Sequence, residues 1–223
     1  MQVVKASGRV GLEPYTRSVQ PVVDMTPTHL PSTLDVTPAK RRLYEAAVEL
    51  FGTRGYHGVS VRDLADVLGI KAPSLYAHVA NKQQLLFELA LIGQQEYLGR
   101  MRAALLNSGS EPRGQVRGIV RAHVLAHLQL PLLARVSSVE IRHLDEARLA
   151  EVLALRGEAG RIFLDVIARG QSLCAFTVSN PLRATRAIAD MGIRMAEWTP
   201  PAATEEHETL ADDYADIALR ILG

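Results

Sequence analysis

The feature that most constrains this 223-residue chain is a tight pair of helix signals between Ser60 and Lys82. Ser60 is a good N-cap, and Asp63 three positions later completes a capping-box pattern, so a helix is predicted to begin there. Val61, Leu64, Ala65 and Leu68 give it one apolar face. Gly69 stops it after barely two turns, because glycine takes the left-handed conformation that a sharp turn demands. Only Ile70 and Lys71 separate it from a third helix, opened by Pro73. Ala65 is small where that helix must approach, and Leu75 supplies an apolar anchor beneath it. Two short helices across a glycine turn make a helix-turn-helix. A plain helical hairpin has the same spacing.

The rest of the chain also reads as helix. Thr37 caps and Pro38 opens a first helix whose Leu43, Ala46, Ala47, Leu50 and Phe51 share a face, with Gly55 as its stop. Asn81, with Gln84 three residues on, starts a fourth helix reaching about Leu106. Further helices are predicted over 112–130, 132–143 and 145–169. An eighth runs from Pro181 to the Pro200-Pro201 pair, and the last carries Leu210, Tyr214, Ile217, Ala218 and Ile221. No alternating strand pattern, repeat or Gly-rich phosphate loop interrupts them. The expected fold class is all-α with about nine helices. Residues 1–36 lack any sustained period and read as a disordered arm. Residues 37–82 form a helix-turn-helix head and 83–223 a larger C-terminal helical domain. Lys5, Arg9 and Arg17 leave two options for the arm: a tail without a role, or one that reaches DNA.

Net charge is +1, but its distribution matters more. Between Pro38 and Lys82 seven Lys and Arg stand against four acids, whereas from Glu197 onward seven acids stand against one Arg. The near-neutral total excludes a bulk-basic binder and leaves room for a basic head. A solvated surface without a partner would carry the same split. The single Cys174 excludes an internal disulfide and a thiolate zinc site, and is expected to be a small buried residue. An aromatic content of 5% argues against an RNA-stacking platform. No apolar run approaches the roughly 18 residues of a membrane span, and no secretory apolar region is visible near residue 1, so a cytoplasmic protein is expected.

On the outer face of the third helix, Ser74, Tyr76 and His78 are flanked by Lys71 and Lys82, side chains able to bond phosphates and base edges. The stretch Arg42–Leu89, above all Pro73-Ser74-Leu75-Tyr76-Ala77-His78-Val79-Ala80-Asn81-Lys82, resembles the DNA-binding region of the TetR family of bacterial repressors. The resemblance covers about a fifth of the chain, with cap, turn, recognition helix and following lysine in the family's order. It implies that Ser60, Arg62 and Lys82 meet phosphates and that Tyr76 and His78 hold the DNA backbone. Ser74 would touch base or backbone, and Lys71 and Ala72 would open the recognition helix. Ala72 departs from relatives with a polar residue there and offers only a thymine-methyl contact. Ala77 is small where some relatives carry an aromatic. Sparse direct readout would shift specificity toward DNA shape.

The same resemblance implies a homodimer on a pseudo-palindromic double-stranded operator, released by a small-molecule effector bound in the C-terminal domain. The last two helices would form the dimer interface, through Ile188, Met191, Met195, Tyr214, Ile217 and Ile221. Those stripes could equally face their own core. Gln94, Tyr97, His123, His127, Ser137, Ser138, Glu140, Arg142 and His143 are the polar candidates for lining an effector pocket. Met195-Ala196-Glu197-Trp198-Thr199-Pro200 is similar to TetR-type regulators of lipid and steroid breakdown, several of which respond to acyl-CoA thioesters. That makes an acyl-CoA or related amphipathic organic acid the first effector candidate. Arg100, Arg102, Arg113 and Arg117 are the nearest cations for its phosphates, and a planar hydrophobic effector stays open. No cofactor, resident metal or membrane partner is expected. A metal-dependent enzyme finds one foothold: His123 and His127 stand at i, i+4, but Val124 replaces the glutamate that a zincin needs after its first histidine. His143 and Glu146 have a di-iron spacing, without the rest of that motif set. A DNA-binding protein without any effector is the other alternative, recognisable by a closed C-terminal core.

Overall fold

A computed structural model of the chain describes residues 29–198 and 204–223. Among the described residues it holds nine α-helices, one short 3-10 helix and no strand. The head comprises α1 (Pro38–Arg54), α2 (Val61–Leu68), α3 (Ala72–Leu75) and the start of α4 (Lys82–Asn107). Then come α5 (Pro112–Gln129), α6 (Pro131–Ser138), the 3-10 helix (Glu140–His143), α7 (Glu146–Ser172), α8 (Pro181–Trp198) and α9 (Thr204–Leu222).

Local chemistry sets most boundaries. Thr37 caps α1 through the Lys40 amide, and Gly55 ends it at φ 74°. Ser60 and Asp63 form the full capping box: the Asp63 amide donates to Ser60 Oγ at 3.1 Å and the Ser60 amide to Asp63 Oδ2 at 2.6 Å. Asn81, Glu111, Asp145 and Asn180 likewise cap α4, α5, α7 and α8 through free first-turn amides. Pro131 opens α6 rather than only ending α5, and the helix predicted over 132–143 is two pieces joined at Val139.

Residues 29–36 do not belong to a disordered arm. Leu30, 1% exposed, sits in the head's core. The His29 amide donates to Glu45 at 2.8 Å, and Arg41 donates to the carbonyls of Pro31 and Leu34, both at 3.0 Å. One buried leucine and a few long-range polar bonds leave no period in the sequence, so the strap was invisible there. Residues 1–28, with Lys5, Arg9 and Arg17, lie outside the described residues, as does the Pro200-Pro201 stop.

Two apolar cores form. The first joins Leu43, Phe51, Leu64, Leu75, Val79, Leu85 and Leu89 of the head to Leu133, Val136, Ile141 and Val152. The second gathers Leu98, Met101, Ile119, Phe163, Ile167, Ile188, Ala215 and Leu222 from α4, α5 and α7–α9. A division between residues 82 and 83 therefore cuts the first core, which takes in α6, the 3-10 helix and part of α7. At 26 residues, α4 runs about 39 Å and contributes to both cores. The short α6 lies close against two neighbours. A Cβ on Gly52 of α1 would come within 3.1 Å of Leu132 Cβ, and one on Gly93 of α4 within 2.5 Å of Ser137 Cβ.

Cys174 is exposed, not buried. It follows α7 at φ 55°. Its amide donates to the Gln171 carbonyl at 3.0 Å and the next amide, of Ala175, to Gly170 at 2.8 Å. That is a Schellman stop, which turns the side chain out of the fold.

Candidate functional site

Two places concentrate unpaired polar chemistry: the outer face of the head and a cavity in the C-terminal half.

On the head, Gly69 in the left-handed conformation (φ 67°) lets α2 turn into α3. The Ile70 amide closes the turn on Ala65 O at 3.0 Å. Only one helical turn follows, then tighter turns in which the Ala77 and His78 amides reach Ser74 and Leu75. Leu75 and Val79, one turn apart and both buried, pin this segment down. Ser74, Tyr76 and His78 are consequently exposed, and their side chains make no hydrogen bond among the described residues. Tyr76 is 52% exposed. Ser60, Arg62 and Lys71 are exposed as well, while Ala72 is half-buried. Ser60 Oγ accepts the Asp63 amide in its cap, and its hydroxyl also lies against the Asp63 carboxylate, holding that carboxyl below its ordinary range.

Lys82 differs from its neighbours. Its ammonium donates to the carbonyls of Tyr56 and Val59, both at 2.7 Å, and lies 4.0 Å from the Tyr56 ring centroid. Burial lowers its pKa. Two of its three N–H groups tie down the α1–α2 loop, leaving one for a phosphate. Glu140 and His143 meet the same loop from the other side. Glu140, 2% exposed, accepts the Tyr56 amide at 2.8 Å, and His143 stacks on the Tyr56 ring at 5.6 Å. Gln83 donates to the His143 carbonyl at 2.5 Å.

The cavity holds about 480 Å³ between α4, α5, α6, α7 and α8. Gln94, Tyr97, His123, His127, Ser137 and Ser138 line it, as the sequence suggested. Glu140, Arg142 and His143 do not. Glu140 and His143 belong to the head junction, and exposed Arg142 donates to the His143 ring at 3.2 Å. The 3-10 helix turns all three away from the cavity that α6 faces. Apolar walls come from Leu130, Leu133, Leu153, Leu164 and Ile193. The sequence reading missed Arg156, Arg161, Arg186 and Thr185. The three guanidinium groups make no hydrogen bond or ion pair among the described residues, and the Thr185 hydroxyl is enclosed without a partner. The cations favoured from sequence are occupied elsewhere: Arg100 by Glu96 and Gln129, Arg102 by Glu158, Arg113 by the carbonyls of Ala175 and Gly223, and Arg117 by Asp212 and Asp216. A cavity of this kind is not the closed core of an effector-free protein.

The histidine pair is built into the wall. Tyr97 Oη is 2.8 Å from His123 Nδ1, and His123 Nε2 is 2.9 Å from the Ala189 carbonyl. Both ring nitrogens of His123 are thus engaged, and the pair cannot clamp one ion without breaking those bonds. Among the described residues no cluster of three or more His, Cys, Asp or Glu has a metal-holding arrangement. Burial drives the His123 pKa down to about 3 and lowers that of His127.

Of the stripe residues assigned to a dimer interface, Ile188 and Met195 are buried in their own second core, at 2% and 1% exposure. They cannot face a partner, because α8 turns that stripe toward α5 and its neighbours. Met191 and Tyr214 are half-buried against the same core. Ile217 and Ile221, a turn apart on α9, are 38% and 39% exposed. Among the described residues no helix is long and apolar enough to cross a membrane.

A helix-turn-helix head joined to a helical domain with a largely apolar cavity that carries a few polar groups defines the class: a DNA-binding regulator. Residues 43–89 match the family described as bacterial regulatory proteins, tetR family, and residues 109–222 match the tetracyclin repressor-like C-terminal domain. The chain belongs to the TetR family of transcriptional regulators. It is 25% identical over 197 residues to the HTH-type transcriptional repressor KstR2 of Rhodococcus jostii, across 87% of this chain and 96% of that protein. A tetR-family regulatory protein from Rhodococcus RHA1 superposes with TM-score 0.78 at 27% identity, over 84% of this chain and 98% of that one. AibR, solved in complex with isovaleryl coenzyme A and operator DNA, shares the fold, with TM-score 0.73 at 20% identity over 80% and 96% of the two chains.

Proposed function

We propose that the protein is a cytoplasmic, homodimeric repressor that holds a pseudo-palindromic operator and lets go when an amphipathic organic acid, first an acyl-CoA thioester, fills the cavity. One observation carries this reading: α6 is a wall of the cavity and a part of the head's core at once. Leu133 belongs to both, and Leu132 packs on Gly52 of α1 while Ser137 packs on Gly93 of α4. A ligand that moves α6 therefore moves the surface on which α1 and α4 rest.

Ser60, Arg62, Lys71, Ala72, Ser74, Tyr76, His78 and the third N–H of Lys82 form the DNA face. Most of these contacts fix position on the phosphate backbone rather than read bases. Ile217 and Ile221, with half-buried Met191 and Tyr214, are the apolar groups available for the second copy. Two heads would then meet half-sites one DNA turn, about 34–36 Å, apart. Arg156, Arg161 and Arg186 supply the charge that the anionic part of an acyl-CoA needs. The AibR complex with isovaleryl coenzyme A and operator DNA supports this effector class by likeness of fold.

Fluorescence anisotropy against the DNA upstream of the protein's own gene, over a salt series with a scrambled control, tests the operator half. Tight, salt-sensitive binding to the native fragment alone is expected. Equal weak binding to both, persisting after site selection from random DNA, would overturn it. Acyl-CoA thioesters from acetyl to palmitoyl added to the bound complex test the effector half. An uncharged planar compound displacing the DNA where no thioester does would replace the effector class.

A further inference from the structure

Beside its three donor-only arginines, the cavity wall carries side chains whose hydrogens are already committed, leaving an acceptor lone pair. A carbonyl oxygen never donates, so the proton on His123 must sit on Nε2, which faces the Ala189 carbonyl at 2.9 Å. Its Nδ1 is then a bare lone pair, and Tyr97 spends its only hydrogen there. His127 Nδ1 lies 2.8 Å from the His123 carbonyl, so it too must carry its proton. The Nε2 at the far edge of the His127 ring remains a lone pair with no partner among the described residues. Burial, which lowers the His127 pKa, keeps that ring neutral and the lone pair bare. Gln94 repeats the pattern: its amide nitrogen donates to the Ser137 carbonyl at 2.7 Å, leaving its oxygen. Thr185, only 7% exposed, adds a hydroxyl without a partner among the described residues, able to donate or accept.

We propose that the cavity selects effectors that carry a hydroxyl as well as an anion, the hydroxyl donating to His127 Nε2 and the anion meeting Arg156, Arg161 and Arg186. This rests on the reading of the cavity as the effector site and narrows it to hydroxylated organic acids or their thioesters. A methyl in place of the hydroxyl leaves a buried acceptor unpaired, whereas a site built around a hydroxyl strongly disfavours the analogue that lacks it.

The probes are ω-hydroxydodecanoate and dodecanoate, titrated calorimetrically into the full-length protein. The hydroxy acid is expected to bind about ten-fold tighter than the plain acid. His127→Phe keeps the ring and removes the lone pair, and is expected to bring the two acids level while Arg161→Ala weakens both. The comparison in the unmodified protein stands even if His127→Phe fails to fold. Equal affinities for the two acids, both weakened by Arg161→Ala, would overturn the hydroxyl assignment and leave the anion site intact. Binding of neither acid would overturn this proposal together with the cavity's anion reading. Operator binding by the same preparation reports the DNA function separately.

Discussion

At Cys174 the backbone holds φ 55°, where an L side chain crowds the following carbonyl at a cost of about 1 kcal/mol. The same Schellman stop after α2 uses Gly69, which has no such cost. Cys174→Gly is therefore expected to raise the unfolding free energy by about 1 kcal/mol in urea titrations, without touching DNA affinity. His123 makes a second residue-scale prediction. The unfolded ring takes its proton near 6.5 and the folded one only near 3, because burial disfavours the charge. Between those values the unfolded state binds more protons, so stability rises with pH. The stability present above about pH 6.5 is lost progressively as pH falls toward about 3, amounting to about 2 kcal/mol by pH 5. Thermal melts at both ends of that range check it, and His123→Gln should melt lower at neutral pH but lose that share of the slope. Capping residues such as Ser60 and Asn81 were legible in the sequence because a cap is local chemistry. The true work of Glu140 was not, since the amide that it accepts belongs to Tyr56, 84 residues away. Arg156 and Arg186 were hidden for the same reason: nothing short-range links α7 to α8 across the cavity.

Among the elements, α2 and α6 respond differently to substitution. Ser60→Ala removes one half of the capping box and should cost about 1 kcal/mol of stability, with weaker DNA binding in addition. Gly93→Ala puts a methyl into the α4–α6 crossing, where Ser137 leaves only 2.5 Å. It should destabilise the fold by about 1–3 kcal/mol and alter the response of operator binding to effector. Unchanged stability and response would mean that the crossing is softer than its geometry. Long amphipathic helices were readable from period alone, down to the 26-residue α4. The strap of residues 29–36 and the break at Val139 were not, because a single buried leucine and an eight-residue helix carry too little period. The burial of Ile188 and Met195 was equally undecidable, as a stripe of apolar residues does not say whose core it faces.

For the molecule as a whole, the two cores meet in α4 and α7, and α4, α6 and α7 each carry both head-core and cavity-wall residues. If the cavity controls the head, linkage is reciprocal: effector and operator must change each other's affinity by the same factor. The most direct test is to close that cycle. The operator dissociation constant is measured with and without a saturating acyl-CoA thioester, and the thioester's constant with and without saturating operator, at one salt concentration. A weakening of about ten-fold or more, equal in both directions, is the predicted result. Effector and operator that bind together with no mutual loss would contradict the control of the head by the cavity.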